Sequence, residues 1–121
     1  MAYATQLVPA LGTEPIELPL QVSSGRPVGR SGTARLDLVG ELCTDTVPLV
    51  RDAAYEILDE EVTELVLDFR AVTFVDGRGL SLLVELARVC EGQAASLRVR
   101  RPNGQAELVL SIAGLDHLVD R

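Results

Sequence analysis

DFRAVTFVDGRGLSLLVELARVCEG, Asp68 to Gly92, changes hydrophobic period on either side of Asp-Gly-Arg-Gly, and that change decides the fold. Upstream, Leu65, Val66, Leu67 and Phe69 form an apolar run starting four residues after the charged triplet Asp59-Glu60-Glu61. A run this short reads as a strand, Glu64 to Phe69, rather than a helix. Downstream, Leu80, Leu83, Val84, Ala87 and Cys90 share one helical face, widened by Leu82, Leu86 and Val89. Ser81, Glu85 and Arg88 are left on the opposite side. Between them a tight turn is expected at Asp76-Gly77-Arg78-Gly79, where two residues without a Cβ let the backbone bend closely. The helix start then faces outward with unpaired N–H groups and partial positive charge, so function is expected there. Gly92 is expected to end the helix as a left-handed cap.

Working outward, Met1 to Pro15 mixes small residues with Pro9, Gly12 and Pro15 and is expected to be a flexible arm, with one domain over 16–121. Ile16, Leu18, Leu20 and Val22 alternate as a first strand, which Pro19 assigns to a sheet edge. Ser23 to Gly32 is turn chemistry and reads as a mobile, arginine-bearing loop (Arg26, Arg30) before a second strand at Ala34 to Val39. Thr44, Asp45 or Thr46 can cap a helix with Pro48 in its first turn and Val47, Val50, Ala54, Ile57 and Leu58 as its apolar stripe. The acidic triplet then sits at the end of that helix, where the dipole opposes it. After the central strand and helix, Ser96 to Arg100 alternates as a further strand and Pro102-Asn103-Gly104 turns. Gln105 to Ala113 is expected as a third helix with Leu108, Val109 and Ile112 inward, closed by Gly114, and Leu115, Leu118 and Val119 pack the tail. The order β-β-α-β-α-β-α plus a short last strand predicts an α/β domain. Its mixed four- to five-stranded sheet has parallel helix-linked neighbours and helices mainly on one face.

With 121 residues, one core is expected. A formal charge of −7 and 3% aromatic residues speak against nucleic acid, which needs a basic footprint and stacking surfaces, although Arg98, Arg100 and Arg101 cluster. Cys43 and Cys90 stand too far apart for a metal knuckle or CxxC pair, and two free thiols fit a reducing cytoplasm. No leader and no apolar stretch of about 20 residues is present, so neither secretion nor membrane insertion is expected. The chemical inventory is thin: one histidine, His117, in a post-helical segment, and no HExxH, Walker A or GxSxG pattern. Asp68 and Asp76 bracket the central loop, but the first reads as a strand residue and the second as a turn-ordering one. A non-enzyme without cofactor or metal is expected.

Three segments resemble the STAS domain family, the fold of bacterial anti-sigma factor antagonists. VTFVDGRGLSLLVELAR is similar to the family's strand ending in Asp-Ser-Ser/Thr-Gly-Leu and entering a helix. Val39 to Pro48, VGELCTDTVP, is similar to its Gly-Glu-Leu-Asp stretch, and Arg101 to Leu118, RPNGQAELVLSIAGLDHL, to its closing turn, helix and Gly-Leu-x-x-Leu. The resemblance spans about Ile16 to Val119. It implies a switch in which the unphosphorylated protein binds an anti-sigma factor that is also a serine kinase, and phosphorylation of the serine after the turn's aspartate breaks the complex. That serine aligns with Gly77, the next Ser or Thr with Arg78, and the aspartate after Gly-Glu-Leu with Cys43. Partner contacts are therefore expected at Glu41, Cys43, Thr44, Asp76, Gly77, Arg78, Gly79 and Ser81, in a binder that cannot be phosphorylated at Gly77. The nearest remaining hydroxyls are Ser81 and Thr73. A scaffold or accessory subunit of a signalling or lipid-transport assembly is the alternative, a small-molecule domain a third reading, and a homodimer is compatible with either of the first two.

Overall fold

The computed structural model describes residues 2–4, 7–9, 15–17, 20–26 and 32–120. The main sheet is built from β1 (Ala2–Ala4), β4 (Leu20–Gly25), β5 (Thr33–Leu42), β6 (Glu64–Val75), β7 (Ser96–Arg100) and β8 (Val119–Asp120), in that spatial order. Strands β2 (Leu7–Pro9) and β3 (Pro15–Glu17) form a separate antiparallel pair. Helices α1 (Val47–Ile57), α2 (Gly77–Gly92) and α3 (Gly104–Ile112) connect the later strands, and a 3-10 turn at Asp116–Leu118 leads into β8. β4 pairs antiparallel with β5, whereas β5, β6, β7 and β8 run parallel. The expected α/β architecture with a mixed sheet is present, and its strands from residue 20 onward number five.

Alternation explains which face is covered. Leu36, Leu38 and Leu42 of β5, Leu65, Leu67 and Phe69 of β6, and Leu97 and Val99 of β7 point into one core with Val47, Val50 and Ala54 of α1 and Leu82, Leu83, Leu86 and Cys90 of α2. Ala106 and Leu110 of α3 join the same cluster. The opposite face is polar. Arg35 reaches Asp37 at 2.6 Å and Asp68 at 3.2 Å, and Arg70 reaches Asp68 at 3.0 Å. Val66 lies on this face between Arg35 and Arg98 in register. Asp68 is only 4% exposed. Burial pushes its carboxyl up, but the Arg70 N–H and guanidinium and the charges of Arg70 and Arg35 outweigh this and hold it below the ordinary carboxylate range.

Several expectations are corrected by tertiary pairing. The strand expected at Ile16 to Val22 is two strands: Pro15–Glu17 turns back on β2, and β4 begins at Leu20 because Leu20 and Val22 fill the core opposite Gly40 and Leu38. Leu18 and Pro19 lie outside the described residues, and the stretch expected to be an irregular arm contains β1, β2 and the first residue of β3. Ser23 to Gly25 are strand rather than loop, held by pairing with β5. Arg26 donates to Asp59 and to the Ile57 carbonyl, which sets a cation at the acidic end of α1. Arg30 is outside the described residues.

β5 and β6 both run past their expected ends, to Leu42 and Val75. Register shifts between Asp37 and Val39 and between Gly40 and Glu41 break the simple alternation there, and Gly40 supplies a positive φ of 121° at the second. The inward row of α2 is Gly79, Leu82, Leu83, Leu86 and Cys90, with Leu80, Val84 and Ala87 only partly covered. In α3 the expected inward set is wrong for Leu108 and Ile112, which are 58% and 76% exposed. Its short helix meets the core through Ala106 and Leu110, and Val109 is at the margin. Gly92 is not the left-handed cap of α2: that conformation belongs to Ala94, at φ 58°, while Gly114 does take a positive φ after α3.

Two measurements test these points. Ala94 holds a conformation that disfavours a Cβ, so Ala94→Gly is expected to raise the unfolding free energy by about 0.5–1 kcal/mol in urea titration. Asp68 has a depressed folded pKa, so its contribution is complete above the unfolded carboxylate value near 3.8 and is lost as pH falls through and below it. Asp68→Asn is therefore expected to cost about 1–3 kcal/mol at neutral pH and to flatten the acid limb of the stability profile.

Candidate functional site

The sequence from Val75 to Gly79 is the end of a strand and the beginning of a helix with no intervening turn. Asp76 is extended (φ −100°, ψ −176°) and caps α2, whose first residue is Gly77. The tight turn expected at Asp76–Gly79 is thus corrected: Gly77, Arg78 and Gly79 already form the first helical turn. A capping aspartate accepts orphan amides and brings negative charge to the positive end of the dipole.

Asp76 does more than cap. One carboxylate oxygen accepts the Gly79 N–H at 2.9 Å, and the other accepts the Thr44 N–H at 2.9 Å and the Thr44 hydroxyl at 3.1 Å. The Asp76 N–H meanwhile donates to the Leu42 carbonyl at 3.1 Å. One residue therefore ties the end of β5, the loop into α1 and the start of α2. Burial raises its carboxyl, but hydrogen bonds from Gly79, from the Thr44 amide and hydroxyl, and from the Arg78 amide prevail and lower it. It is an ionised acceptor, already engaged, and poorly suited to general-base work.

The loop into α1 is fixed from beneath. Thr46 is fully buried; its hydroxyl donates to the Glu41 carbonyl at 2.7 Å and accepts the Cys43 N–H at 2.9 Å. It stands at the helix boundary but spends its side chain on the loop rather than on a helix amide. The outer flank is closed by Arg51 of α1, which grips Glu85 of α2 at 3.0 Å, and by the Tyr55 hydroxyl, which donates to Glu85 at 2.7 Å. Hydrogen bonds from Arg51 and then Tyr55 lower the Glu85 carboxyl against the opposing effect of burial.

Of the residues expected to contact a partner, Thr44, Asp76, Gly77, Arg78 and Gly79 gather at this junction. Glu41 is exposed near the end of β5, and Cys43 is half-buried against Thr46 rather than on the Asp76 carboxylate. Ser81 is exposed, with its hydroxyl donating to the Gly77 carbonyl at 3.0 Å. Thr73 lies on β6 and bonds the Gly40 carbonyl at 3.3 Å. Arg78 is exposed and its guanidinium forms no ion pair among the described residues, so Asp76 does not neutralise it through a direct contact. Among the described residues no group of three His, Cys, Asp or Glu side chains is placed to hold a metal, and no helix is long and apolar enough to cross a membrane. His117 is exposed on the 3-10 turn, and burial raises the Cys90 thiol pKa within the core.

The two glycines of the first helical turn differ in kind. A Cβ on Gly79 would stand 2.6 Å from the Leu42 carbonyl oxygen and 2.9 Å from Val75 Cγ1, so only glycine lets the helix approach β5 this closely. A Cβ on Gly77 would meet nothing within 4 Å. The fold therefore requires glycine at 79 and is indifferent to a side chain at 77. Sequence reasoning names Thr46 only as a possible cap and Asn103 only as a turn residue, and passes over Gln93 and Gln105; Gln93, Asn103 and Gln105 bond backbone groups far away in sequence, whereas Thr46 bonds the nearby Glu41 carbonyl. A polar side chain carries no periodic signal, and nothing in the chain flags the long-range bonds of these three.

Gly79→Ala is expected to destabilise by about 1–3 kcal/mol through overpacking against backbone. Gly77→Ala should be neutral or stabilising by up to about 1 kcal/mol. Paired urea titrations check both, and equal losses would contradict the distinction.

No curated protein matches the sequence. Among solved structures, the anti-sigma factor antagonist SpoIIAA in its unphosphorylated form superposes with a TM-score of 0.68 at 24% identity, covering 84% of this chain and 85% of that one. An anti-sigma factor antagonist from Mycobacterium paratuberculosis gives 0.69 at 21% identity over 81% and 80%. The fold also occurs in a sulfate transporter family protein from Wolinella succinogenes, with a TM-score of 0.64 at 17% identity over 77% of each chain. At these identities the likeness is one of fold. The family model for the Mlab STAS domain matches residues 28–120, most of the sequence, and the chain belongs to the STAS domain family.

Proposed function

We propose that this chain is a regulatory protein-binding module, an anti-sigma factor antagonist-like STAS domain that engages an anti-sigma factor/serine protein kinase through the strand-cap-helix at 75–88. The observation that carries the reading is the junction itself. Asp76 holds Thr44 and the first turn of α2 in one fixed, outward-facing rim, and this rim lacks the buried acid-base pair or metal cluster that chemistry would need. Glu41, Cys43, Thr44, Arg78 and Ser81 surround it as contact residues of both polarities. A rigid rim loses little conformational entropy on binding, which favours affinity.

In this reading the usual switch is silent. A phosphate at position 77 would sit favourably at a helix N-terminus yet would have to be stripped of water inside an interface. A loss of about 3 kcal/mol would weaken binding by some hundredfold. Glycine has no hydroxyl to accept that phosphate, so the chain binds constitutively and is governed by abundance or competition in the cytoplasm. Arg78 takes the place of a small polar residue and selects a partner with an acidic patch.

A second reading, a scaffold or accessory subunit, is favoured by the occurrence of the same fold in the anion transporter SLC26A9, where the matching part covers 18% of that chain. Affinity purification of the tagged protein from its native cells separates the two. Recovery of an anti-sigma factor supports the first reading and recovery of a transporter ATPase supports the second. With the captured kinase and ATP, wild type is expected to gain no phosphate by intact mass and Gly77→Ser to gain one, while Arg78→Glu should lower recovery by about tenfold or more. Stoichiometric phosphorylation of the wild type would refute the silent switch.

A further inference from the structure

β6 outruns its neighbour. Its pairing with β7 ends at Asp68 opposite Arg100, yet the strand continues to Val75, leaving one edge of the overhang without a strand beside it. Unpaired backbone groups on such an edge must find other partners or water. The start of α3 supplies them. The Asn103 side-chain amide donates to the Arg70 carbonyl at 3.0 Å, at the near end of the overhang. At the far end, Gln105 Oε1 accepts the Val75 N–H at 2.8 Å and its Nε2 donates to the Val75 carbonyl at 2.9 Å. One carboxamide thus makes both bonds that a residue of an adjoining strand would make.

Val75 is the residue before the cap. Its side chain is buried, and its Cγ1 is one of the atoms that exclude a Cβ from Gly79. The next residue, Asp76, carries the bonds to Thr44 and Gly79. We infer that Gln105 is a positioning residue for the binding rim: it fixes Val75 from the α3 side and so sets the depth and direction in which Asp76 presents the Thr44 loop and the start of α2. The importance of that geometry for a partner rests on the function proposed above, whereas the positioning itself is a property of the isolated chain.

The chemistry of the contact supplies a specific test. A carboxamide and a protonated carboxyl group both offer one acceptor and one donor, whereas a carboxylate offers acceptors only. In Gln105→Glu the ionised side chain would face the Val75 carbonyl, and protonation would restore the lost bond. The experiment is amide hydrogen exchange by NMR on the full chain, using protection factors at Thr44 and Gly79 as reporters of the Asp76 bonds and at Leu36 and Leu67 as core references. Gln105→Leu is expected to lower protection at Thr44 and Gly79 by about tenfold relative to the core references. Gln105→Glu is expected to behave like the leucine variant near pH 7 and to regain protection near pH 4, below the ordinary glutamate value, where Asp76, held below its own ordinary value, remains mostly ionised. Wild-type protection should not change between the two. Unchanged protection at the reporters in the leucine variant, or a fall shared equally with the core, would overturn the inference. If the leucine variant does not fold, absence of acid rescue in the glutamate variant overturns it alone. A rim loosened as expected in a chain that captures no anti-sigma factor would count against the proposed function and leave the positioning role standing.

Discussion

The carboxylate of Asp76 is the constraint on which the junction depends. Parallel strands joined by helices bring chain segments to the same sheet end without linking them, and the end of β5, the entry to α1 and the start of α2 meet there only because something bonds all three. Asp76 does so with its amide on Leu42 and its carboxylate on Thr44 and Gly79. The requirement for glycine at 79 follows from the same closeness, since a helix drawn onto the Leu42 carbonyl leaves no room for a Cβ. Cap, loop and glycine are one solution to the problem of starting a helix hard against the neighbouring strand.

Charge is handled differently on the two sides of the molecule. Around Asp76 the stabilising donors are mostly backbone amides, which are fixed in place and carry no net charge. On the open sheet face the donors are arginines, and Asp68 is held between Arg35 and Arg70 with little exposure. Removing an arginine there is more costly than its pair is stabilising in itself, because it strands the buried Asp68 carboxylate away from water. That face is consequently best understood as a structural lattice rather than a basic footprint, in keeping with a formal charge of −7.

Periodicity revealed the elements whose environment is uniform along their length. β7 and the apolar stripe of α1 are as expected, and the two crossovers are parallel. It failed where two requirements overlap. Bulges interrupt alternation and hide the extension of β6, and the pattern puts the start of α2 at Leu80 because Gly77 and Gly79 look like turn residues when their contacts are unknown. Size points to Leu108 and Ile112 as the inward residues of α3, whereas it is small Ala106 that is buried. Of the site, Asp76 was legible as an ordering residue and its neighbours in sequence with it. Gln105 was not, since its value lies in a strand edge that exists only once β7 has ended short.

Gly77 has a consequence for how such proteins diversify. A position that faces open space, at the first residue of a helix, in a backbone conformation any residue can adopt, can gain or lose a side chain without compensating change elsewhere. Gly79, two residues along, has no such freedom. Evolutionary drift at 77 is therefore decoupled from foldability, and a side chain can be gained or lost there in a single step through intermediates that all fold. Substitution at that one site reshapes the exposed start of α2 while the scaffold stays invariant.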